Sequence, residues 1–198
     1  MPAGGLALMA VETADDGDDA LIARVAMGDE AAYGRLVRRH AAAAHALAAR
    51  TLGIAADAEE VVQEAFWRVW RVSAGWRAGE ARFSTWLHRV VVNLAIDRIR
   101  RERIRRWLPF AEGFDPPDPG PGTNAAHGAR AELAVVMADL RRLPARQRVA
   151  LMLAAGGEHS NGEIARLMDT SESAVETLLV RARRTLRARR DAREGGGS

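Results

Sequence analysis

Residues suited to acid–base, nucleophilic or metal chemistry are few and scattered in this sequence. The chain has no cysteine, which excludes disulfides, thiolate metal sites and cysteine nucleophiles. The five histidines, His40, His45, His88, His127 and His159, show no spacing typical of a metal site. No glycine-rich phosphate loop follows a strand pattern. We therefore expect no catalytic residue, no metal and no cofactor, and a function based on binding.

Aromatic side chains interleaved with arginine mark a first candidate binding segment. The residues are Trp76, Phe83 and Trp86 beside Arg77, Arg82 and Arg89. This combination suits single-stranded nucleic acid, because bases stack on aromatic rings at about 1–3 kcal/mol each and arginines follow the phosphates. The segment predicts capture of unpaired bases.

The helix expected next, over 84–106, has one polar face. Arg89, Asn93, Asp97 and Arg100 recur at spacings of four and three, opposite the apolar stripe of Leu87, Val91 and Leu94. Because Asn and Asp are poor helix formers, their place in mid-helix indicates a use in binding. A merely solvated face is the alternative. Arg98 lies toward the apolar stripe and is expected to form a structural ion pair.

A second candidate binding segment has the pattern of a helix-turn-helix. The motif Ser-Asn-Gly-Glu at 160–163 predicts a capping box, and a turn at 169–171 precedes a helix that Ser171 can cap. The buried stripe of that helix is Val175, Leu179, Ala182 and Leu186, and its opposite face carries Ser173, Thr177, Val180, Arg181 and Arg184. Short polar groups that reach base edges and arginines that contact phosphates are what a recognition helix needs. An ordinary helical hairpin is the alternative.

The helix expected over 57–72 has acidic residues at its start and aromatic residues at its end. Asp57 with Glu60 predicts a second capping box, and acids near a helix N-terminus are favoured by the dipole. Phe66 belongs to the core stripe, but Trp67 and Trp70 widen the apolar surface around the helix. This patch favours a protein-docking surface, with a buried core as the alternative.

These segments require helical elements. Apolar residues recur at helical spacing over 18–52, with a break at Gly28-Asp29, and no strand pattern or internal repeat is present. Further helices are expected over 130–143, 145–155, 160–168 and 172–190. A proline- and glycine-rich acidic stretch over 108–129 predicts a flexible linker. We predict an all-α protein of two small helical domains, at 18–107 and 130–192, with tails at 1–17 and 193–198.

Charge and hydropathy restrict the cellular setting. The chain of 198 residues has a net charge of +3, and its arginines crowd into 98–106 and 181–193. Two such clusters, each at the end of a patterned helix, favour a polyanionic partner. No apolar run reaches the roughly 20 residues of a membrane span, and no signal peptide is recognisable. We expect a cytoplasmic protein without membrane insertion.

Five motifs together resemble one known family. They are Asp-Ala-Glu-Glu-Val-Val-Gln-Glu-Ala-Phe at 57–66, Phe-Ser-Thr-Trp-Leu-His-Arg-Val-Val-Val-Asn-Leu-Ala-Ile-Asp-Arg at 83–98, Leu-Pro at 143–144, Glu-Ile-Ala-Arg-Leu-Met at 163–168 and Arg-Ala-Arg-Arg at 181–184. In this order the motifs resemble the extracytoplasmic-function sigma factors of the sigma-70 family of bacterial RNA polymerase. The resemblance implies a region 2 domain and a region 4 helix-turn-helix domain, and a transcription initiation factor rather than an enzyme.

The resemblance also implies roles for individual residues. Contact with the −10 element is implied for Trp76, Phe83, Ser84, Thr85, Trp86, Arg89, Asn93, Asp97, Arg100 and Arg101. Contact with the −35 element is implied for Ser171, Ser173, Thr177, Val180, Arg181 and Arg184. Binding to core polymerase is implied for Asp57, Glu60, Gln63, Glu64, Trp67, Arg68 and Trp70.

The partners implied by the resemblance are promoter DNA and core RNA polymerase, through the clamp helices of its largest subunit and the flap of the second-largest. An anti-sigma factor is a further implied partner. The sequence departs from a frequent family pattern in its recognition helix, which reads Ser-Ala-Val-Glu at 173–176 and has Leu178 where arginine is common. A stand-alone helix-turn-helix regulator, which would bind duplex DNA without polymerase, is the alternative function.

Overall fold

The computed structural model describes residues 16–53, 55–107 and 124–195, and all regular structure in these ranges is helical. The α-helices are α1 (Asp18–Ala26), α2 (Glu30–Leu52), α3 (Ala55–Val72), α4 (Phe83–Trp107), α5 (Asn124–Arg142), α6 (Ala145–Ala155), α7 (Asn161–Leu167) and α8 (Glu172–Gly195). One turn of 3-10 helix, Ser73–Gly75, follows α3. The prediction of an all-α protein is confirmed. No described helix has the length and apolar character needed to span a membrane.

Local capping signals account for several helix ends. Asp29 caps α2 by accepting a hydrogen bond from the Ala32 N–H at 2.9 Å, which explains the break between α1 and α2. Gly53 ends α2 with φ of 68°, a left-handed conformation that glycine adopts without steric cost. At α7 the capping box of Ser160 and Glu163 forms as predicted.

The capping box predicted at Asp57 is wrong. Helix α3 already begins at Ala55, so Asp57 and Glu60 lie within its first turns. Both carboxylates instead pair with Arg98 of α4, each at 2.8 Å. The two acids therefore interact favourably with the helix dipole of α3 and also join α3 to α4. The structural ion pair expected of Arg98 is confirmed.

The predicted tails and linker fall largely outside the described residues. Of the linker expected over 108–129, residues 108–123 lie outside, while 124–129 belong to α5. Residues 1–15 of the N-terminal tail and 196–198 of the C-terminal tail also lie outside. Helix α8 runs to Gly195, beyond the predicted end at 190.

The apolar core extends through both predicted domains. In α1 to α4 it is formed by fully buried residues such as Leu21, Leu36, Leu87 and Val91. Residues of α6, α7 and α8 belong to the same cluster: Val149, Leu153, Ile164 and Val175. Because side chains of both predicted domains are buried in one cluster, the hydrophobic effect helps to hold the two domains together. A smaller cluster of Leu140, Leu143 and Ala182 packs α5 against α8.

The surface where α2 and α4 meet α6 and α7 is called the seam below. Polar interactions reinforce it. Arg148 of α6 is buried and donates a hydrogen bond to the Leu52 carbonyl at the end of α2. Arg50 of α2 donates two hydrogen bonds to Glu158, which follows α6, at 2.7 and 2.8 Å. The bidentate geometry makes this pair strong for its exposed position. In this structure α6 and α7 therefore lie directly on α2 and α4.

Candidate nucleic-acid and protein interfaces

Three aromatic residues form a packed cluster where the segment after α3 meets the start of α4. The Trp76 ring lies 5.9 Å from that of Phe83 and 5.7 Å from that of Trp86, both edge to face. The Phe83 and Trp86 rings stack at 6.1 Å. Phe83 is only 2% exposed, whereas Trp76 and Trp86 are half-buried. Phe83 is thus the buried member against which the two tryptophans pack, and its own ring does not face solvent.

The first turn of α1 holds this aromatic cluster in place. Trp76 Nε1 donates a hydrogen bond to Asp19 Oδ1 at 2.9 Å. The His40 ring lies 5.0 Å from that of Phe83, and His40 Nε2 pairs with Asp18 at 2.9 Å. Burial acts to raise the pKa of Asp18, but the hydrogen bonds from His40 and Arg39 outweigh it and hold that pKa below its ordinary value. These carboxylate contacts were not expected from the sequence.

The polar face of α4 remains partly accessible. Asn93 and Asp97 are half-buried, while Arg100 and Arg101 are exposed. At the start of the helix Thr85 is exposed and Ser84 is half-buried. Arg100 lies 3.7 Å from Asp97, a loose contact between exposed side chains that contributes little to stability. The sequence-predicted residues of this face are therefore brought to one continuous surface beside the aromatic cluster.

Arg89 differs from the other residues of this face, because it reaches across the seam. Its Nη2 lies 2.9 Å from Asp169 Oδ1, in the turn between α7 and α8. Another residue of the seam, His88, is half-buried, and its Nε2 has no hydrogen-bond partner among the residues that the structure describes. Burial, together with the charges of His40 and His159, lowers the pKa of His88. Part of the candidate DNA surface of α4 thus faces the second half of the protein.

Helix α3 and helix α4 border an open groove of about 590 Å³. The groove is lined by Glu60, Val61, Gln63, Glu64, Trp67, Arg68, Leu94, Arg98 and Arg101. Trp67 is 56% exposed and lies under the Arg71 guanidinium at 4.9 Å, and Glu64 pairs with Arg68 at 3.1 Å. Most of the residues predicted to contact polymerase therefore lie on one surface.

Trp70 also belongs to α3, but it does not line the groove. Its ring packs edge to face on Tyr33 at 5.3 Å and is 39% exposed. Phe66 and Val69, by contrast, are buried in the core. The aromatic residues of α3 thus divide between the core and the surface, and the exposed tryptophans favour a docking surface over a buried packing role.

Helices α7 and α8 form a helix-turn-helix with a tight turn. Asp169 has φ of 51°, a left-handed conformation that aspartate tolerates better than most residues. The Thr170 N–H donates to the Ala165 carbonyl at 3.0 Å and closes the C-terminus of α7. Ser171 Oγ then accepts from the Ala174 N–H at 3.2 Å, the N-cap that the sequence predicted for α8.

The two faces of α8 separate as expected. Val175, Leu179 and Ala182 are buried, and Leu186 is half-buried. The outer face presents Ser173, Thr177, Val180, Arg181 and Arg184, all exposed. Val180 is 63% exposed, which is unusual for an apolar side chain in mid-helix. Thr177 Oγ1 donates to the Ser173 carbonyl at 2.9 Å, so its oxygen is oriented along the helix.

The arginines at the C-terminal end of α8 fall into two groups. Arg189 and Arg193 pair with Asp139 of α5, and Arg190 pairs with Asp191 at 3.3 Å and with Glu194 at 3.6 Å. Arg183 and Arg187, by contrast, lie with Val180 and Arg184 on one exposed surface. These two arginines were not predicted as site residues, although Arg183 is three positions from Val180 and Arg187 is three positions from Arg184, spacings that place them on that face.

Metal chemistry has no support in the described ranges. Within residues 16–53, 55–107 and 124–195 no group of three or more histidine and acidic side chains is arranged to hold a metal ion. The surfaces described above offer arginine, aromatic and short polar groups, which bind polyanions and bases.

Comparison with known proteins identifies the family. Sigma-70 region 2 matches residues 36–105, and Sigma-70 region 4 matches residues 135–186. The chain is 36% identical to RNA polymerase sigma factor CnrH of Cupriavidus metallidurans, over 90% of this chain and 96% of the relative. It is 34% identical to the sigma factor NccH of Alcaligenes xylosoxydans, over 86% of this chain and 93% of the relative. It is 32% identical to the extracytoplasmic-function sigma factor SigM of Mycobacterium tuberculosis, over 85% and 82%.

A solved structure agrees with these sequence matches. The structure of CnrH in complex with the cytosolic domain of CnrY is similar with a TM-score of 0.53 and 32% identity, covering 89% of this chain and 99% of that chain. The matched regions contain the aromatic cluster, the polar face of α4 and the helix-turn-helix, in the order that the motifs indicated. The chain belongs to the extracytoplasmic-function sigma factors of the sigma-70 family, the transcription initiation factors of bacterial RNA polymerase.

Proposed function

We propose that this sigma factor acts by binding alone, and that its two halves recognise the two elements of a promoter. Helix α8 reads the −35 element as duplex DNA, and α4 with the aromatic cluster recognises and opens the −10 element. The observation that carries this proposal is the outer face of α8, where Arg181 and Arg184 have no ion-pair partner within the described ranges. We assign these two roles to the domains predicted at 18–107 and 130–192, although helix α5 of the second already begins at Asn124.

At the −35 element, the exposed face of α8 enters the major groove. Ser171, Ser173 and Thr177 lie at the N-terminal end of the helix, where short side chains reach base edges. Arg181 and Arg184 follow one to two turns later and neutralise phosphates. Exposed Val180 lies between these groups and offers an apolar contact to a thymine methyl group.

At the −10 element, Trp86 provides the stacking surface for an unpaired base. Phe83, buried beneath it, keeps the indole ring in position. Stacking at about 1–3 kcal/mol per base offsets the unpairing cost of a few kcal/mol. The accessible face of α4 continues this surface, and its polar residues Asn93, Asp97 and Arg100 contact neighbouring bases and backbone.

The groove between α3 and α4 is proposed as the docking site for core polymerase. Its exposed Trp67 is an aromatic anchor of the kind that dominates binding energy in protein interfaces. The acidic and basic groups around it, such as Glu64 and Arg68, form a polar rim. The partners are the clamp helices of the largest subunit and, for the second half of the chain, the flap of the second-largest subunit. Polymerase supplies the catalytic centre, and the protein acts where polymerase does, in the cytoplasm.

An anti-sigma factor is proposed as the regulator. The similar solved structure holds the relative CnrH together with the cytosolic domain of CnrY. We extend this kind of partner to the present chain, because the two proteins are 36% identical over nearly all of their length. An anti-sigma factor that covers the α3–α4 groove would prevent docking to polymerase.

Transcription with purified core polymerase on a promoter library tests the proposal. Addition of the protein should produce starts at a defined promoter sequence, and Trp67→Ala should abolish them by weakening binding to polymerase. A protein that binds duplex DNA specifically but gives no starts would instead be a stand-alone regulator. Met27→Ala is the matched control, because it removes an exposed apolar side chain outside the groove.

A further inference from the structure

We infer that Asp19 is a positioning residue for promoter melting, which holds Trp76 so that the aromatic cluster presents Trp86 to an unpaired base. The inference rests on the proposed function of the cluster at the −10 element. It assigns a role to the first turn of α1, outside the segments to which the sequence analysis gave a function.

The main observation is the hydrogen bond between Trp76 and Asp19. The indole N–H donates to the Asp19 carboxylate at 2.9 Å, although the two residues are 57 positions apart. An indole N–H is a donor only, and a half-buried one needs an acceptor in a fixed direction. The bond therefore sets the orientation of the ring as well as its position.

Trp76 needs such an anchor because of where it lies in the chain. It follows the 3-10 turn Ser73–Gly75 with extended backbone, and residues 77–82 after it are exposed. The ion pair of Arg77 with Glu80, at 3.3 Å, is also exposed and contributes little to order in this segment. The indole ring packs against the core, and the Asp19 carboxylate and the rings of Phe83 and Trp86 are thus the contacts that fix its orientation.

The neighbouring carboxylate supports the same conclusion independently. Asp18 pairs with His40 at 2.9 Å, and the His40 ring packs against Phe83 at 5.0 Å. Asp19 therefore contacts the aromatic cluster directly, and Asp18 contacts the histidine that packs against it. Stabilisation of the helix dipole alone would explain acids in this turn, but it would not place Asp19 on the Trp76 indole N–H and Asp18 on His40.

The mechanical consequence concerns Trp86. The Trp86 ring is packed between Trp76, edge to face at 5.7 Å, and Phe83. If Trp76 rotates, Trp86 loses one of its two ring neighbours and gains freedom. A tryptophan that is already ordered binds an unpaired base with a smaller loss of conformational entropy. A disordered Trp86 should therefore slow the step in which the duplex is opened.

The test compares open-complex formation by the holoenzyme on a duplex promoter and on the same promoter with an unpaired −10 element. Asp19→Ala should slow opening of the duplex by roughly fivefold, the loss expected for one hydrogen bond, and should leave the pre-opened promoter nearly unaffected. Asp19→Asn should retain most of the duplex rate, because the amide oxygen still accepts the indole N–H. Tryptophan fluorescence should change for Asp19→Ala and much less for Asp19→Asn.

Asp16→Ala is the matched control, because Asp16 pairs with Arg24 and Arg35, which lie outside the aromatic cluster. Any effect of Asp16→Ala on the rate of opening should be the same on both templates. Trp76→Phe provides a second variant if Asp19→Ala fails to fold, since it keeps a ring but lacks the donor, and it should slow opening of the duplex and leave the pre-opened promoter nearly unaffected. Where Asp19→Ala does fold, adding it to Trp76→Phe should cause no further loss.

Two results would overturn the inference. One is an Asp19→Ala protein whose ratio of duplex to pre-opened rates equals that of the wild type, and the other is Asp19→Asn as defective as Asp19→Ala. Failure of the wild-type protein to open any promoter would instead overturn the proposed function itself, so the two failures are distinguishable.

Discussion

Arg89 Nη2 lies 2.9 Å from Asp169 Oδ1, so a residue of the candidate −10 surface is paired with the turn of the helix-turn-helix. The side chains are 43% and 70% exposed, and such a pair contributes only about 0–1 kcal/mol. Its significance is geometric, because an arginine engaged across the seam is not available to a phosphate. The proposed binding of both promoter elements therefore requires this contact to open.

Asp169→Asn should strengthen binding of a single-stranded −10 oligonucleotide by up to about fivefold, because it frees Arg89 at a cost of less than 1 kcal/mol. Asparagine tolerates the left-handed backbone of residue 169, so the turn is preserved. Fluorescence anisotropy with the isolated protein measures the affinity. Glu80→Gln is the control, since it removes the same charge from the exposed pair with Arg77. Equal gains for both variants would mean that net charge alone is responsible.

His88 makes the seam sensitive to pH. Burial and the charges of His40 and His159 lower its pKa below the ordinary value of 6.5, so the unfolded chain binds the proton more readily. The stability that neutral His88 contributes is present above that value and is lost as the pH falls toward the lowered pKa. His88→Gln should therefore show a smaller fall in Tm than the wild type between about pH 7.5 and 5.5.

A second variant checks the cause of this pH dependence. His159→Gln removes one positive charge near His88 and should move the pKa of His88 back toward the ordinary value, which a ring-proton NMR titration measures. An unchanged His88 titration in this variant would show that His159 does not lie close enough to His88 in solution to influence it.

The sequence predicted features that depend on neighbouring residues. The capping box of Ser160 and Glu163 and the buried stripe of Val175, Leu179 and Ala182 follow from spacing within one or two helices, and the structure has both. An ion pair of Arg98 was also expected, because a charge on an apolar stripe needs a partner, but its partners in α3 were not.

Contacts between distant segments could not be predicted in this way. The pair of Arg50 and Glu158 joins residues 108 positions apart, and both look like ordinary solvated charges in the sequence. Burial of Phe83 depends on how His40 and Trp86 pack around it in three dimensions. Periodicity assigns a residue to a face of its own helix, but it does not identify the element that covers that face.

Arg184→Ala should weaken binding to −35 duplex DNA and reduce the slope of log K against log salt concentration by about one, because each phosphate contact releases about one counterion. Arg187→Ala should do the same, since Arg187 extends the exposed arginine surface of α8. Arg190→Ala removes the same charge from the same helix, but Arg190 is already paired with Asp191 and Glu194. A slope for Arg190→Ala as reduced as that for Arg184→Ala would contradict the division into two arginine groups.

Trp86→Ala should impair open-complex formation on a duplex promoter much more than on one with an unpaired −10 element. The reason is that stacking on Trp86 offsets the cost of unpairing, and loss of about 1–3 kcal/mol of stacking energy corresponds to a five- to over hundredfold slower opening. Trp70→Ala is the control, because it removes an exposed tryptophan of α3 that packs on Tyr33, outside the aromatic cluster. It should weaken polymerase binding and so reduce the signal on both templates equally, an effect that excess protein corrects. If Trp86→Ala lowered the rate on both templates by the same factor, Trp86 would have a role in folding or docking and none in holding the unpaired base.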